Sequence, residues 1–153
     1  MSIKLEYSVT AKCNPEHAWQ KFEKLEEWPW WNHVIGKTQW LSGGGRWQEG
    51  GRFTFEMLRP EHRAFKPVII KSAPPNQIAW VGKAFGLTGE HWFSFEPHAD
   101  DTTLLKTWEI FSGPLTMFIG AGSQKKIVGF FADWLGALKE EAEKIAREAR
   151  ARA

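Results

Sequence analysis

Cysteine is almost missing from this chain: Cys13 is the only one in 153 residues, so no disulfide can close within it, and a reducing compartment is implied. Cys13 has no activating partner nearby in the sequence and reads as a structural thiol, not a nucleophile. Long apolar runs are missing too. Residues 1–7 lack the apolar core of a signal peptide and no window reaches the length of a bilayer span, which predicts a cytoplasmic protein with no integral membrane segment. Neither sign of charge dominates, since 20 Lys and Arg against 18 Asp and Glu leave +2. Basic residues gather only at Arg147, Arg150 and Arg152, which is no track for a phosphate backbone, so nucleic acid is not an expected partner. Also absent are a GxSxG elbow, an HExxH pair, a phosphate loop ending in GK[ST] and a CxxC pair. The five histidines (His17, His33, His62, His91 and His98) lie in separate elements without paired ligand spacing, so neither a metal nor a cofactor is expected. His17, His62 and His98 read as surface residues.

Large rings are what the chain has in excess. Ten tryptophans and 11 phenylalanines raise the aromatic fraction to 14%, more than a core of this size needs, and this predicts rings lining a cavity or its mouth. The length suits one domain, 1–153, without repeat or linker. Residues 114–153 read as a long C-terminal helix with an apolar stripe at Ile127, Phe131, Trp134, Leu138, Ala142 and Ile145. Gly120, Gly122, Gly129 and Gly136 weaken its first half, so the part from Phe130 to Ile145 is the part expected to dock firmly.

Ahead of that helix the pattern is mostly of period two. Ile3, Leu5, Tyr7, Val9 and Ala11 alternate with polar residues as a first strand. Asn14 and Pro15 then cap and open a short helix carrying Ala18, Trp19 and Phe22. The stretch 23–32, with Pro29 among Trp28, Trp30 and Trp31, reads as a bent aromatic segment over one end of the sheet. Six further strands follow at 37–41, 52–58, 66–72, 77–84, 90–96 and 102–111, joined too tightly for crossovers and therefore antiparallel. Gly43, Gly44 and Gly45 are not followed by a helix start and read as a mobile turn. The order is thus strand, two helices, six strands, long helix: an α+β chain with a seven-stranded antiparallel sheet.

The turn around His98 to Asp101 sets a register for the last two strands, placing Phe95 opposite Leu105, Phe93 opposite Thr107 and His91 opposite Glu109. An imidazole and a carboxyl thereby share one face with rings and aliphatic carbon. They are either polar anchors or an acid/base pair in a pocket, or else a satisfied structural pair. Phe53, Phe55 and Met57 alternate inward on their strand, and Trp80 followed by Gly82 leaves room beside an indole. The candidate ligand-binding set is therefore Trp31, Phe53, Phe55, Met57, Trp80, His91, Phe93, Thr107, Glu109, Phe131 and Trp134. Entry is expected near residues 28–33 and the glycine turn, with His33 at the mouth. His91 and Glu109 are the candidates for catalysis, if there is any.

Several short motifs run in order along nearly the whole chain. They are Asn14-Pro15-Glu16 with Trp19, Trp31-Asn32, Trp80-Val81-Gly82, Gly89 with His91 and Phe93, Thr103 with Glu109, Phe111-Ser112-Gly113, and Ala137-Leu138-Lys139. In this the sequence resembles the START-like or Bet v 1-like (SRPBCC) superfamily, specifically its small bacterial polyketide cyclase/dehydrase-type proteins. The resemblance implies a helix-grip fold, with a curved sheet wrapped round the long helix and a cavity between them for a lipid, sterol, polyketide or other apolar small molecule. It supplies no catalytic set that maps residue by residue onto this chain. Binding of a hydrophobic small molecule is the leading expectation, cyclase/dehydrase-type chemistry at His91 and Glu109 the second, and a protein-interaction module the third.

Overall fold

The computed structural model describes residues 2–41, 46–84 and 86–153. The glycines at 43–45, read above as a turn, lie outside the described residues. β1 (Ser2–Ala11) leads to α1 (Pro15–Phe22), a 3₁₀ turn at Leu25–Glu27 and a single helical turn, α2 (Trp28–Trp31). The strands β2 (Ile35–Trp40), β3 (Phe53–Met57), β4 (Arg63–Phe65), β5 (Val68–Ala73), β6 (Gln77–Ala84), β7 (Leu87–His98) and β8 (Thr102–Ser112) follow. A second 3₁₀ turn, Pro114–Phe118, precedes the long helix α3 (Ala121–Arg152).

This is a helix-grip α+β fold. All strand pairing is antiparallel, in a five-stranded sheet ordered β1-β8-β7-β6-β5 and a three-stranded sheet ordered β2-β3-β4. Hydrogen bonds from Gly50 N to Ile69 O and from Ile69 N to Gly51 O, both 2.8 Å, join the two sheets, so they curve round α3 as one wall. The three-residue β4 adds to the predicted strands and had no alternation long enough to announce it. The long helix, predicted from residue 114, starts at Ala121 instead, because Gly120 caps it and residues Pro114–Phe118 close a 3₁₀ turn.

Local chemistry fixes the entry to the fold. Asn14 Oδ1 accepts from His17 N while His17 Nδ1 accepts from Asn14 N, both at 3.2 Å, a reciprocal cap that gives His17 a structural role beyond the surface position expected of it. Thr103 Oγ1 donates to Cys13 O at 2.7 Å, burying the thiol at the junction of β1 and α1; that burial raises the Cys13 pKa and keeps the sulfur inert.

The core is a knot of rings at one end of the grip. Phe22 from α1, Trp28 from α2, Phe53 from β3, Phe93 from β7 and Trp134 from α3 are all fully or almost fully buried. Trp134 lies 5.0 Å from both Trp28 and Phe93, and Phe22 lies 4.9 Å from Phe93, in tilted or edge-on geometries that each add about 1 kcal/mol beyond area burial. Trp28 Nε1 donates to Phe22 O at 2.7 Å and Trp47 Nε1 to Glu23 O at 2.6 Å, which lock the bent segment onto the knot. Ion pairs of Lys21 with Glu141 (3.3 Å), and Lys12 N donating to Glu143 Oε2 (2.8 Å), tie down the C-terminal half of α3.

Candidate functional site

Side chains facing α3 stand in rows that cross the sheet, and these rows explain where space is left. Ile78, Phe93, Thr107 and Tyr7 make one row, closed beneath the knot of rings. Trp80, His91, Glu109 and Leu5 make the next. In the third row Gly82 pairs with Gly89, which pairs with Phe111, so two adjoining positions have no side chain at all. A Cβ added at Gly82 would meet nothing within 4 Å.

Over these glycines lies a cavity of about 380 Å³, within the range of small-molecule sites. Phe55, Met57, Trp80, Phe111, Ile127 and Phe130 line its mainly apolar wall, and its exposed lining residues, Pro60, Glu61, Lys83, Phe118, Ser123 and Lys126, mark its rim. His91 and Glu109 are the polar groups of the floor.

The imidazole of His91 is buried, stacked on Phe93 at 4.6 Å and set against Phe131 at 5.1 Å. Its Nε2 lies 2.8 Å from Thr107 Oγ1, whose own hydrogen is committed to Trp92 O at 2.8 Å. Thr107 can therefore only accept from the ring, which assigns the Nε2–H tautomer and leaves Nδ1 as an acceptor. Burial pushes the imidazole down to about 3, so it is neutral at physiological pH.

Glu109 stands directly opposite His91 in the ladder, yet its carboxyl has no hydrogen-bond or ion-pair partner among the described residues. Its Oε2 sits 2.5 Å from where a Cβ on Gly89 would be, so the missing side chain of Gly89 is what seats the carboxyl. Half-buried by surface area, Glu109 faces the cavity and not bulk water, and burial pushes its carboxyl up to about 8. At neutral pH the floor thus offers one uncharged acceptor and one uncharged donor.

A family model described as polyketide cyclase / dehydrase and lipid transport matches residues 2–143. The chain belongs to this family. Its fold is shared with a hypothetical protein of Helicobacter pylori (16% identity, 92% of this chain and 88% of that one, TM-score 0.77) and a START superfamily protein of Mycobacterium smegmatis (19%, 93% and 98%, 0.75). The ZhuI aromatase/cyclase of a Streptomyces species is similar as well (13%, 94% and 95%, 0.75). At such identities these likenesses show the fold alone. No protein with a curated description matches the sequence.

Of the predicted ligand contacts, Phe55, Met57, Trp80, His91 and Glu109 line the cavity, whereas the others do not. Trp31, Phe53, Phe93, Phe131 and Trp134 are packed into the core instead, and Thr107 acts through His91. The predicted entry is also corrected. Trp28 is wholly buried, Trp31 nearly so, and His33 is exposed away from the cavity, because the bent segment serves as the plug of one end and the opening lies at the other. The alternative of a satisfied His91–Glu109 pair does not hold either: His91 is satisfied by Thr107, and Glu109 by nothing among the described residues. Sequence reasoning missed Gly89, Phe111, Phe118 and Phe130. Two of these carried a signal, Gly89 as the register partner of the already noted Gly82 and Phe111 by its place on the same face as His91 and Glu109.

Proposed function

We propose that this protein binds a compact, mostly apolar molecule whose oxygen-bearing group is read by His91 Nδ1 and the Glu109 carboxyl. The observation that carries the reading is Glu109: an unpartnered carboxyl facing a cavity is costly in the empty protein, and a guest that accepts its hydrogen bond offsets that cost. About 380 Å³ favours a ring system or a short-chain body over an extended two-chain lipid, and burial at roughly 25 cal/mol per Å² supplies most of the affinity before association costs.

The test uses 1-aminoanthracene fluorescence as a generic cavity probe. Gly82→Phe places a ring in open space on a strand, where a side chain is better tolerated than glycine, so the variant should melt no lower than wild type while losing probe affinity by about tenfold or more. Undiminished binding in a folded Gly82→Phe protein would remove the cavity from consideration.

Glu109 also favours a second reading, cyclase- or dehydrase-type chemistry. A carboxyl with a pKa of about 8 is matched to general acid work near neutrality, whereas an imidazole at about 3 is a weak base, so the proton would move through Glu109 with His91 orienting the substrate oxygen. Turnover of a candidate polyketide that survives Glu109→Gln would exclude that role.

A further inference from the structure

We infer that the rim of the cavity is a docking surface for an anionic bilayer. The 3₁₀ turn Pro114–Phe118 exposes Leu115 (38%), Met117 (66%) and Phe118 (73%) side by side, half of the large apolar side chains exposed among the described residues. This turn is held out by its neighbours. Thr116 is buried, its Oγ1 donating to Gly113 O at 2.7 Å, and Ile119 N donates to Thr116 O at 3.0 Å. Gly113, at φ +113°, lies so close to the β6–β7 turn that a Cβ would come within 2.5 Å of Gly86 O, and Leu115 packs where a Cβ on Gly86 would be. The apolar knuckle is thus seated on backbone at the same edge as the cavity opening, whose lining includes Phe118 and Ile119.

Among the described residues, the lysines lining the rim carry its unpaired positive charge. Residues 110–132 contain no Asp or Glu, and the first turn of α3 contains no acid. Lys83 and Lys126 at the rim and Lys125 beside them are exposed and have no ion-pair partner among the described residues, whereas the rim carboxylate Glu61 is paired with Arg63. Protruding aliphatic and aromatic groups flanked by lysines match a leaflet of anionic headgroups, which needs no shape complementarity. A second copy of the chain fits less well, because a two-fold contact would set these lysines against themselves, and three side chains fall far short of a stable protein interface. Docked this way, the cavity mouth faces the acyl region and an apolar guest passes without crossing water.

The experiment is flotation of the intact protein with phosphatidylcholine vesicles, with and without phosphatidylglycerol. Binding is expected on the anionic vesicles, weakened by salt, with little on the neutral ones. Met117→Glu should reduce it about tenfold and Lys125→Glu at least about fivefold. Trp30→Ser, which removes a 77% exposed ring from α2, should leave it unchanged. Neither Met117 nor Lys125 lines the cavity, so both variants should bind 1-aminoanthracene normally in vesicle-free buffer and melt with wild type. Loss of probe binding in Gly82→Phe speaks to the cavity; loss of flotation in Met117→Glu speaks to the rim. Equal binding to both vesicle types, an equal loss in Trp30→Ser, or a wild-type dimer that Met117→Glu converts to monomer without any flotation would each overturn the inference.

Discussion

Trp134→Ala should lower the stability of the protein by about 4 kcal/mol in urea denaturation, the largest effect expected of a single side chain here. Trp134 is fully buried on α3 where the knot of rings meets the cavity, 5.0 Å from Trp28 and Phe93 on one side and 5.7 Å from Phe130 on the other. Surrounding rings are held by α1, α2 and the sheet and cannot collapse into the space, so most of the indole volume remains as a void. That void would adjoin the 380 Å³ cavity through Phe130, Trp80 and His91, all within 6.2 Å of the Trp134 ring. The truncated protein should therefore admit a larger probe than wild type even as it loses stability. Trp134→Phe provides the contrast. The indole N–H has no hydrogen-bond partner among the described residues, and removing it recovers part of what the smaller ring gives up, so this change should cost no more than about 1 kcal/mol. A loss for alanine as small as that for phenylalanine would mean that the knot is not the rigid plug described above.

The sequence showed the walls of the grip far better than its interior. Alternation at Ile3 to Ala11, and the turn after His98, are local signals, and both survived: Ala11 pairs with Thr103, and the register of Phe95 with Leu105, Phe93 with Thr107 and His91 with Glu109 is observed. Which end of the grip stays open was not legible. Phe53, Phe93 and Trp80 all point inward from strands and look alike in one dimension, and Phe22 and Trp28 lie close to Trp80 too, at 6.3 and 6.1 Å; of the three only Trp80 borders free space, because it adjoins the row emptied by Gly82 and Gly89. The void itself arises from an absence shared by two strands, Gly82 beside Gly89, and such a pair is visible only when cross-strand register is known. Nor did sequence reveal that Thr107 would take the hydrogen bond of His91. Both residues sit on the predicted face, but a diagonal contact depends on sheet twist and rotamer.

Glu109→Gln should abolish the loss of stability that wild type shows as pH rises toward about 8. Below about 4.5 the Glu109 carboxyl is protonated whether the chain is folded or not. Between 4.5 and about 8 the unfolded chain ionises it while the folded protein holds the proton, so the unfolded state gains and stability declines across that window. At about 1.4 kcal/mol per pH unit, and discounted for water entering the cavity, the decline amounts to about 3 kcal/mol. His91 acts with the opposite sign: held down to about 3 from an ordinary 6.5, it contributes stability that is present above 6.5 and lost as pH falls toward 3. The two slopes oppose one another between 4.5 and 6.5, and above that interval Glu109 acts alone. Urea titrations at a series of pH values should accordingly show wild type falling from about pH 6.5 to about pH 8 while Glu109→Gln stays level, the two coinciding near pH 4.5. Parallel profiles would show that the carboxyl ionises freely in the folded protein. The same variant separates binding from catalysis. Glutamine keeps a hydrogen-bond donor but cannot give up a proton, so guest affinity should persist in Glu109→Gln and lose the decline above about pH 8 expected of wild type, whereas any acid-catalysed turnover should disappear.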